Sequence, residues 1–206
     1  MKKTLTTLVL LLSAAAVVFA AGNPSLEKIE KTGKELRSAE SHFLHNRTIQ
    51  ASGKVIKMEG NLFYSADDRL AMRYTKPSTD LLVIDGTKFF LSRGGVSNTF
   101  DTSKNPMMES LRSTLLDCVA GRVEKVASGN NADLAVKEDA SSYIVTLTAR
   151  QKAVRGYSRI VLTYRKSDCF LVKMRMEEFT GVTNTYIMDK IVKNPTVSSE
   201  SFKYDK

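Results

Sequence analysis

Reactive side chains are scarce in this chain. Its 206 residues include two cysteines, two histidines and no tryptophan. The stretch from Gly60 to Phe90 has neither Cys nor His. His42 and His45 stand three apart, which on one helical face would suit two metal ligands. No third ligand follows at the spacing of a metal motif, and an exposed helix end is the expected place for both. No G-x-S-x-G elbow, H-E-x-x-H helix or Walker-type phosphate loop occurs. Asp67, Asp68 and Asp85 sit in turn-like stretches where Asp is ordinarily found. The sequence therefore names no catalytic residue, metal site or cofactor, and the expectation is a protein that is not an enzyme. A hydrolase of envelope lipids would need a nucleophile and base assembled from distant parts of the chain.

Long apolar runs are also missing, with one exception at the start. Lys2 and Lys3 precede a mostly apolar run from Leu5 to Phe19, which closes on Ala20 and Ala21. A basic start, a short apolar segment and a small-residue exit describe a secretory signal peptide. The run is short for the roughly 20 residues of a bilayer span. Residues 1–20 are thus expected to be removed, the cut following Ala20 or Ala21. Residues 21–206 then form a single domain large enough for a real core. No cysteine lies near the cut, so no lipid-modified N-terminus is offered, and the product is expected in the periplasm, exported and soluble. Loss of Lys2 and Lys3 takes the formal charge from +9 to +7. That balance suits anionic membrane surfaces or an acidic partner. No dense basic run is present and nucleic acid is not expected; the spread of Lys and Arg reads chiefly as a solvated face. Cys118 and Cys169 both lie in apolar runs. In an oxidising compartment they pair or stay as buried thiols, and the sequence leaves both open.

What is present is mostly strand. Asn23 and Pro24 start a helix read as Pro24 to Asn46, with Leu26, Ile29, Gly33, Leu36 and Phe43 on one stripe. From Thr48 the period becomes two. Ile49 to Lys57, Asn61 to Ser65, Arg69 to Thr75, Asp80 to Ile84 and Thr87 to Leu91 read as consecutive antiparallel strands. Asp85-Gly86 makes a hairpin signal between the last two. Asn105 and Pro106 open a second helix running to Ala120, with Leu111 and Leu115 on its apolar face. Further strands are expected at Arg122–Ala127, Asp133–Lys137, Ser142–Thr148, Tyr157–Arg165, Phe170–Phe179 and Thr183–Ile191, with a short one at Ser201–Tyr204. Such a meander must curl to limit its edges. The predicted fold is α+β: a strongly curved antiparallel sheet forming a half-open barrel, with two or three helices over or inside its apolar concave side.

The motifs "GNLFY" at Gly60 to Tyr64, "RLAMRYTKP" at Arg69 to Pro77 and "LLVIDGTKFF" at Leu81 to Phe90 resemble the LolA family of periplasmic lipoprotein carriers. The ending "NTYIMDKIVKNPTVSSESFKYDK" is similar as well, and the likeness covers nearly all the chain beyond the signal. It implies an incomplete barrel with an apolar cavity that holds lipoprotein acyl chains without covalent chemistry or cofactor. It also implies a monomer that accepts cargo from an inner-membrane ABC transporter and delivers it to an outer-membrane receptor. By position, Leu70, Met72 and Tyr74 match inward-facing cavity residues of the family. Leu111 and Leu115 join them as lid contacts on amphipathicity alone. The resemblance further implies an arginine after the G-x-L strand that keeps the lid closed; here that position is Ala66. A carrier or sensor of another envelope lipid on the same fold is the alternative, and an envelope interaction module that binds no lipid is a second.

Overall fold

The computed structural model describes residues 18–19 and 22–204. Apart from Val18–Phe19, the expected signal segment lies outside them. Among the described residues, twelve strands form one antiparallel sheet: β1 (Val18–Phe19), β2 (Ser38–Ile49), β3 (Lys54–Ser65), β4 (Arg69–Lys76), β5 (Leu81–Asp85), β6 (Lys88–Arg93), β7 (Val96–Asp101), β8 (Ala132–Glu138), β9 (Ser142–Ala149), β10 (Tyr157–Arg165), β11 (Leu171–Glu178) and β12 (Val182–Lys193). Their spatial order is β1-β8-β9-β10-β11-β12-β2-β3-β4-β5-β6-β7. Two meanders are therefore joined by the β12–β2 pair, whose register runs from Val182↔Ile49 to Lys193↔Ala39. The end strands β1 and β7 do not pair, so the sheet is curved but not closed. Three helices accompany it among the same residues: α1 (Pro24–Lys34), α2 (Pro106–Val119) and α3 (Val123–Gly129). The α+β class and the open antiparallel sheet agree with the reading of the sequence.

Alternation places the core. Ala39, Phe43 and His45 of β2, Leu62 and Tyr64 of β3, Val145 and Leu147 of β9, and Ile160, Leu162 and Tyr164 of β10 all point inward and are buried. The caps act as expected. The Asn23 side chain accepts from the Ser25 amide at 2.9 Å and Asn105 from the Met108 amide at 3.2 Å. The two-residue turn after Asp85 carries Gly86 at φ +57.

Four expectations need correction. The first helix stops at Lys34, and Ser38 to Asn46 belong to β2. Its end is held by Asn194, whose carboxamide oxygen accepts from the Arg37 and Ser38 amides. Pairing with β12 on one side and β3 on the other then outweighs local helix propensity. Ile49–Lys57 is not one strand, because the turn at 50–53 divides β2 from β3, and β3 is continuous through Asn61. The stretch 122–127 is helical from Val123 on: Val123, Val126 and Ala127 bury one face at helical spacing. The tail 201–204 is not a strand, since Ser199–Phe202 is a 3-10 turn. Phe202 of that turn packs with Ala71, Val83 and Phe90 on the convex side of the sheet. Arg73 fastens it there, donating to the Glu200, Ser201 and Lys203 carbonyls.

Two glycines permit close approach. A Cβ on Gly33 would lie 1.9 Å from the Ala120 carbonyl oxygen, so α1 meets the α2–α3 corner backbone to backbone. A Cβ on Gly60 would lie 2.2 Å from the Arg73 oxygen, at the bulge between β3 and β4. Cys118 and Cys169 are both buried and both free thiols.

Candidate functional site

The concave side is filled unevenly. The C-terminal half of α2, with Leu116, Cys118 and Val119, is sunk in the core, and the Tyr164 hydroxyl donates to the Cys118 carbonyl at 2.8 Å. The N-terminal half rides higher, and a cavity of about 160 Å³ remains beneath it. Met72 and Tyr74 of β4 line this space, as do Leu111 and Leu115 of α2, with Met58 and Met176 beside them. Leu70, the fifth residue singled out from the sequence, is not in this lining and lies 1% exposed in the surrounding core. On the other flank of α2 an open groove of about 500 Å³ runs past Met107 and Met108. Leu111 and Tyr157 line both spaces, so α2 and Tyr157 form the partition between them.

The N-terminal half of α2, which covers the cavity, is tied to the sheet by Arg112. Arg112 of α2 donates from Nε to the Gly86 carbonyl at 2.7 Å and from Nη2 to Asp68 at 3.2 Å. Those acceptors lie in the β5–β6 and β3–β4 turns, which are themselves joined by the Gly86 amide donating to the Asp68 carbonyl at 3.2 Å. Ala66 is exposed in the second of these turns and has no group to reach the helix. The arginine that spans sheet and cover thus projects from the helix.

One wall of the cavity is polar, and sequence reasoning missed it. His45 is 4% exposed, far from the exposed helix end expected of it. Its Nε2 lies 3.0 Å from Asn184 Oδ1, which can only accept, so Nε2 carries the proton and Nδ1 accepts from the Tyr74 hydroxyl at 2.9 Å. Asn184 passes the chain on, donating to Glu178 at 3.0 Å. Tyr186 stacks on the imidazole with ring centres 4.1 Å apart. Burial, more than any other cause, lowers the His45 pKa to about 4, and Arg47 and Arg93 push the same way against the Asn184 hydrogen bond. His45 is therefore neutral at pH 7. Burial likewise raises the Tyr74 hydroxyl and holds Tyr186 up at about 12. His42 points elsewhere, to Asp189 at 2.7 Å. Neither imidazole is hydrogen-bonded to a serine or cysteine among the described residues. No group of three metal-ligating side chains occurs among them either. The period-two run Ala39, Ser41, Phe43, His45, Arg47 was the signal that could have placed His45 inside.

The family model described as "Outer membrane lipoprotein carrier protein LolA" matches residues 35–205. An outer-membrane lipoprotein carrier protein of Methylobacillus flagellatus is 21% identical over 198 residues, covering 96% of this chain and 91% of that one. Among solved structures, an uncharacterized conserved protein from Thermus thermophilus superposes with a TM-score of 0.55 at 8% identity, covering 88% of this chain and 95% of its own. A LolA superfamily protein from Nitrosomonas europaea gives a TM-score of 0.44 at 11% identity, covering 87% and 97%.

Proposed function

This chain belongs to the outer membrane lipoprotein carrier (LolA) family, and from that premise we propose that it shelters lipoprotein acyl chains under α2 while they cross the periplasm. Members of the family are periplasmic carriers, not enzymes, and a lipid-carrier role follows for this chain. The observation that carries the finer reading is the cavity with its pinned cover. Its methionines, Met58, Met72 and Met176, adapt their shape to whatever enters.

The size of the cavity argues for movement. A void of about 150 Å³ holds one benzene, so 160 Å³ holds no complete acyl chain. Displacing the N-terminal half of α2 would merge this space with the groove beyond Leu111 and Tyr157. Each methylene buried there is worth about 0.8 kcal/mol, or roughly 10 kcal/mol for about a dozen before the costs of association. Breaking the Arg112 contacts on loading, and re-forming them as cargo leaves, would let one protein both take and release so apolar a load.

In this reading residues 1–20 are removed on export and the remainder works in the periplasm as a monomer. An inner-membrane ABC transporter supplies the lipoprotein and an outer-membrane receptor accepts it. Native mass spectrometry on protein purified from periplasm, with extraction of bound material, tests the proposal. A triacylated lipoprotein is the expected cargo. An empty protein that also takes no lipoprotein from inner-membrane vesicles would overturn it.

A further inference from the structure

A cavity meant only for hydrocarbon has no use for charge, yet two guanidiniums line this one. Arg47 follows His45 on the inward face of β2, and Arg93 ends β6. Both act on the same buried groups, since each opposes protonation of His45 and favours ionisation of Tyr186. One carboxylate faces them in the lining, Asp80, and it is already engaged: it accepts from the Gly94 amide at 3.1 Å and stands 3.9 Å from Arg93 Nε. Glu178 lies outside this lining, is hydrogen-bonded by the neutral Asn184 and Thr180 side chains, and keeps its own charge. Arg47 has no ion pair or side-chain hydrogen bond among the described residues. Of the charged side chains in the lining, Arg47 is therefore the one without an ion-pair partner among the described residues. Half-buried, Arg47 sits where water screens it less than on the open surface. A guanidinium so placed presents a fork of donors suited to a carboxylate or phosphate.

An acylated cysteine offers only ester and amide oxygens, which leave that charge unanswered. We propose that the cavity also binds free amphiphiles with one anionic head, of the fatty-acid or alkyl-phosphate class, the head paired with Arg47 and the tail lying against Met72 and Leu115. This rests on the reading that α2 yields to an acyl chain. Neutral His45 and the Tyr74 hydroxyl complete a polar wall beside the head, while the methionine and leucine side accepts the chain. The ligand is thus recognised at two ends by different physics. Charge selects the head, and burial of methylenes holds the tail without regard to its exact length.

Displacement of Nile red, a neutral apolar probe, from purified protein lacking residues 1–20 gives the test. Dodecyl phosphate and dodecanol share a tail and differ in head charge. The wild type should bind dodecyl phosphate at least tenfold more tightly than dodecanol at low salt. Arg47→Gln should bring the two within about twofold, chiefly by weakening the phosphate. Because Arg47 has no ion pair among the described residues, that variant should keep the wild-type thermal transition. Inorganic phosphate alone should displace no probe. Equal affinities in the wild type, or a preference that survives Arg47→Gln, would overturn the proposal while leaving the carrier reading intact. Inorganic phosphate competing as well as dodecyl phosphate would also overturn it, since the tail would then contribute nothing. Failure of Nile red and both amphiphiles to bind at all would instead remove the carrier reading beneath it.

Discussion

Replacing Arg112 with methionine keeps the apolar stem and removes the guanidinium that joins α2 to the sheet. The hydrogen bond to the Gly86 carbonyl is short, at 2.7 Å, and the side chain is 13% exposed. A hydrogen bond with one charged partner contributes about 1.5–3 kcal/mol net of water exchange. The Asp68 carboxylate is more than half exposed, so that ion pair adds about 0–1 kcal/mol. The Glu109 contact lies within α2 and opens with it, so it counts for nothing in closure. Closure should therefore weaken by about 1.5–4 kcal/mol, or roughly 10- to 1,000-fold in the ratio of open to closed forms. Hydrogen exchange read amide by amide is the assay. Amides between Glu109 and Leu115 should exchange at least about 10-fold faster, while those of β9 and β10 stay as they were. Uptake of an apolar probe should accelerate in step. Unchanged exchange in α2 would refute the latch. Equal acceleration across the whole sheet would refute it too, because Arg112 would then support the fold and not the cover.

Three further outcomes follow from the same structure. Gly33→Ala forces a methyl group into the Ala120 carbonyl; such overpacking costs about 1–3 kcal/mol or more, a fall of about 2–12 °C in thermal midpoint by calorimetry. His45 is depressed from 6.5 to about 4, so the unfolded chain binds the extra proton between those values. Its stabilising share is complete above pH 6.5 and is lost as pH falls toward 4, on the order of 3 kcal/mol in all. Urea midpoints should therefore drop across that window in the wild type, and the His45→Phe variant should lack that part of the slope; matching slopes would contradict the assignment. Leu70→Ala should cost about 2–5 kcal/mol of stability with cargo uptake unchanged well below the transition. Met72→Leu should cost under about 1.5 kcal/mol yet alter probe affinity, and the reverse pattern would exchange their roles.

Legibility from sequence followed the range of the forces involved. Signals set within a few residues were readable: the Asn23 and Asn105 caps, the Asp85-Gly86 turn, and β10, whose bounds Tyr157 and Arg165 are those expected. The segment from Ser38 to Asn46 was not. Leu36, Ala39 and Phe43 fit helical spacing, while Ala39, Ser41, Phe43 and His45 fit a strand, and local propensity does not separate the two. Hydrogen bonding to β12, far along the chain, does. The error carried into the site, because a histidine at a helix end and one in the middle of a sheet meet different neighbours.

By itself the sequence determined the antiparallel class, the order of most strands, the inward side of β4 and the amphipathic face of α2. Period and turn chemistry act along the chain, and the chain can be read for them. Only the tertiary structure decided that Met72, Tyr74, Leu111 and Leu115 share one cavity while Leu70 stands behind it. It alone showed that Arg112 spans from helix to sheet where Ala66 cannot, and that His45 lies buried between Tyr74 and Asn184 in a cavity that Arg47 also lines. Those facts depend on which distant strands pair and how far the sheet curls. A cavity is the space left over when every local preference has been met, and no single stretch of residues encodes it.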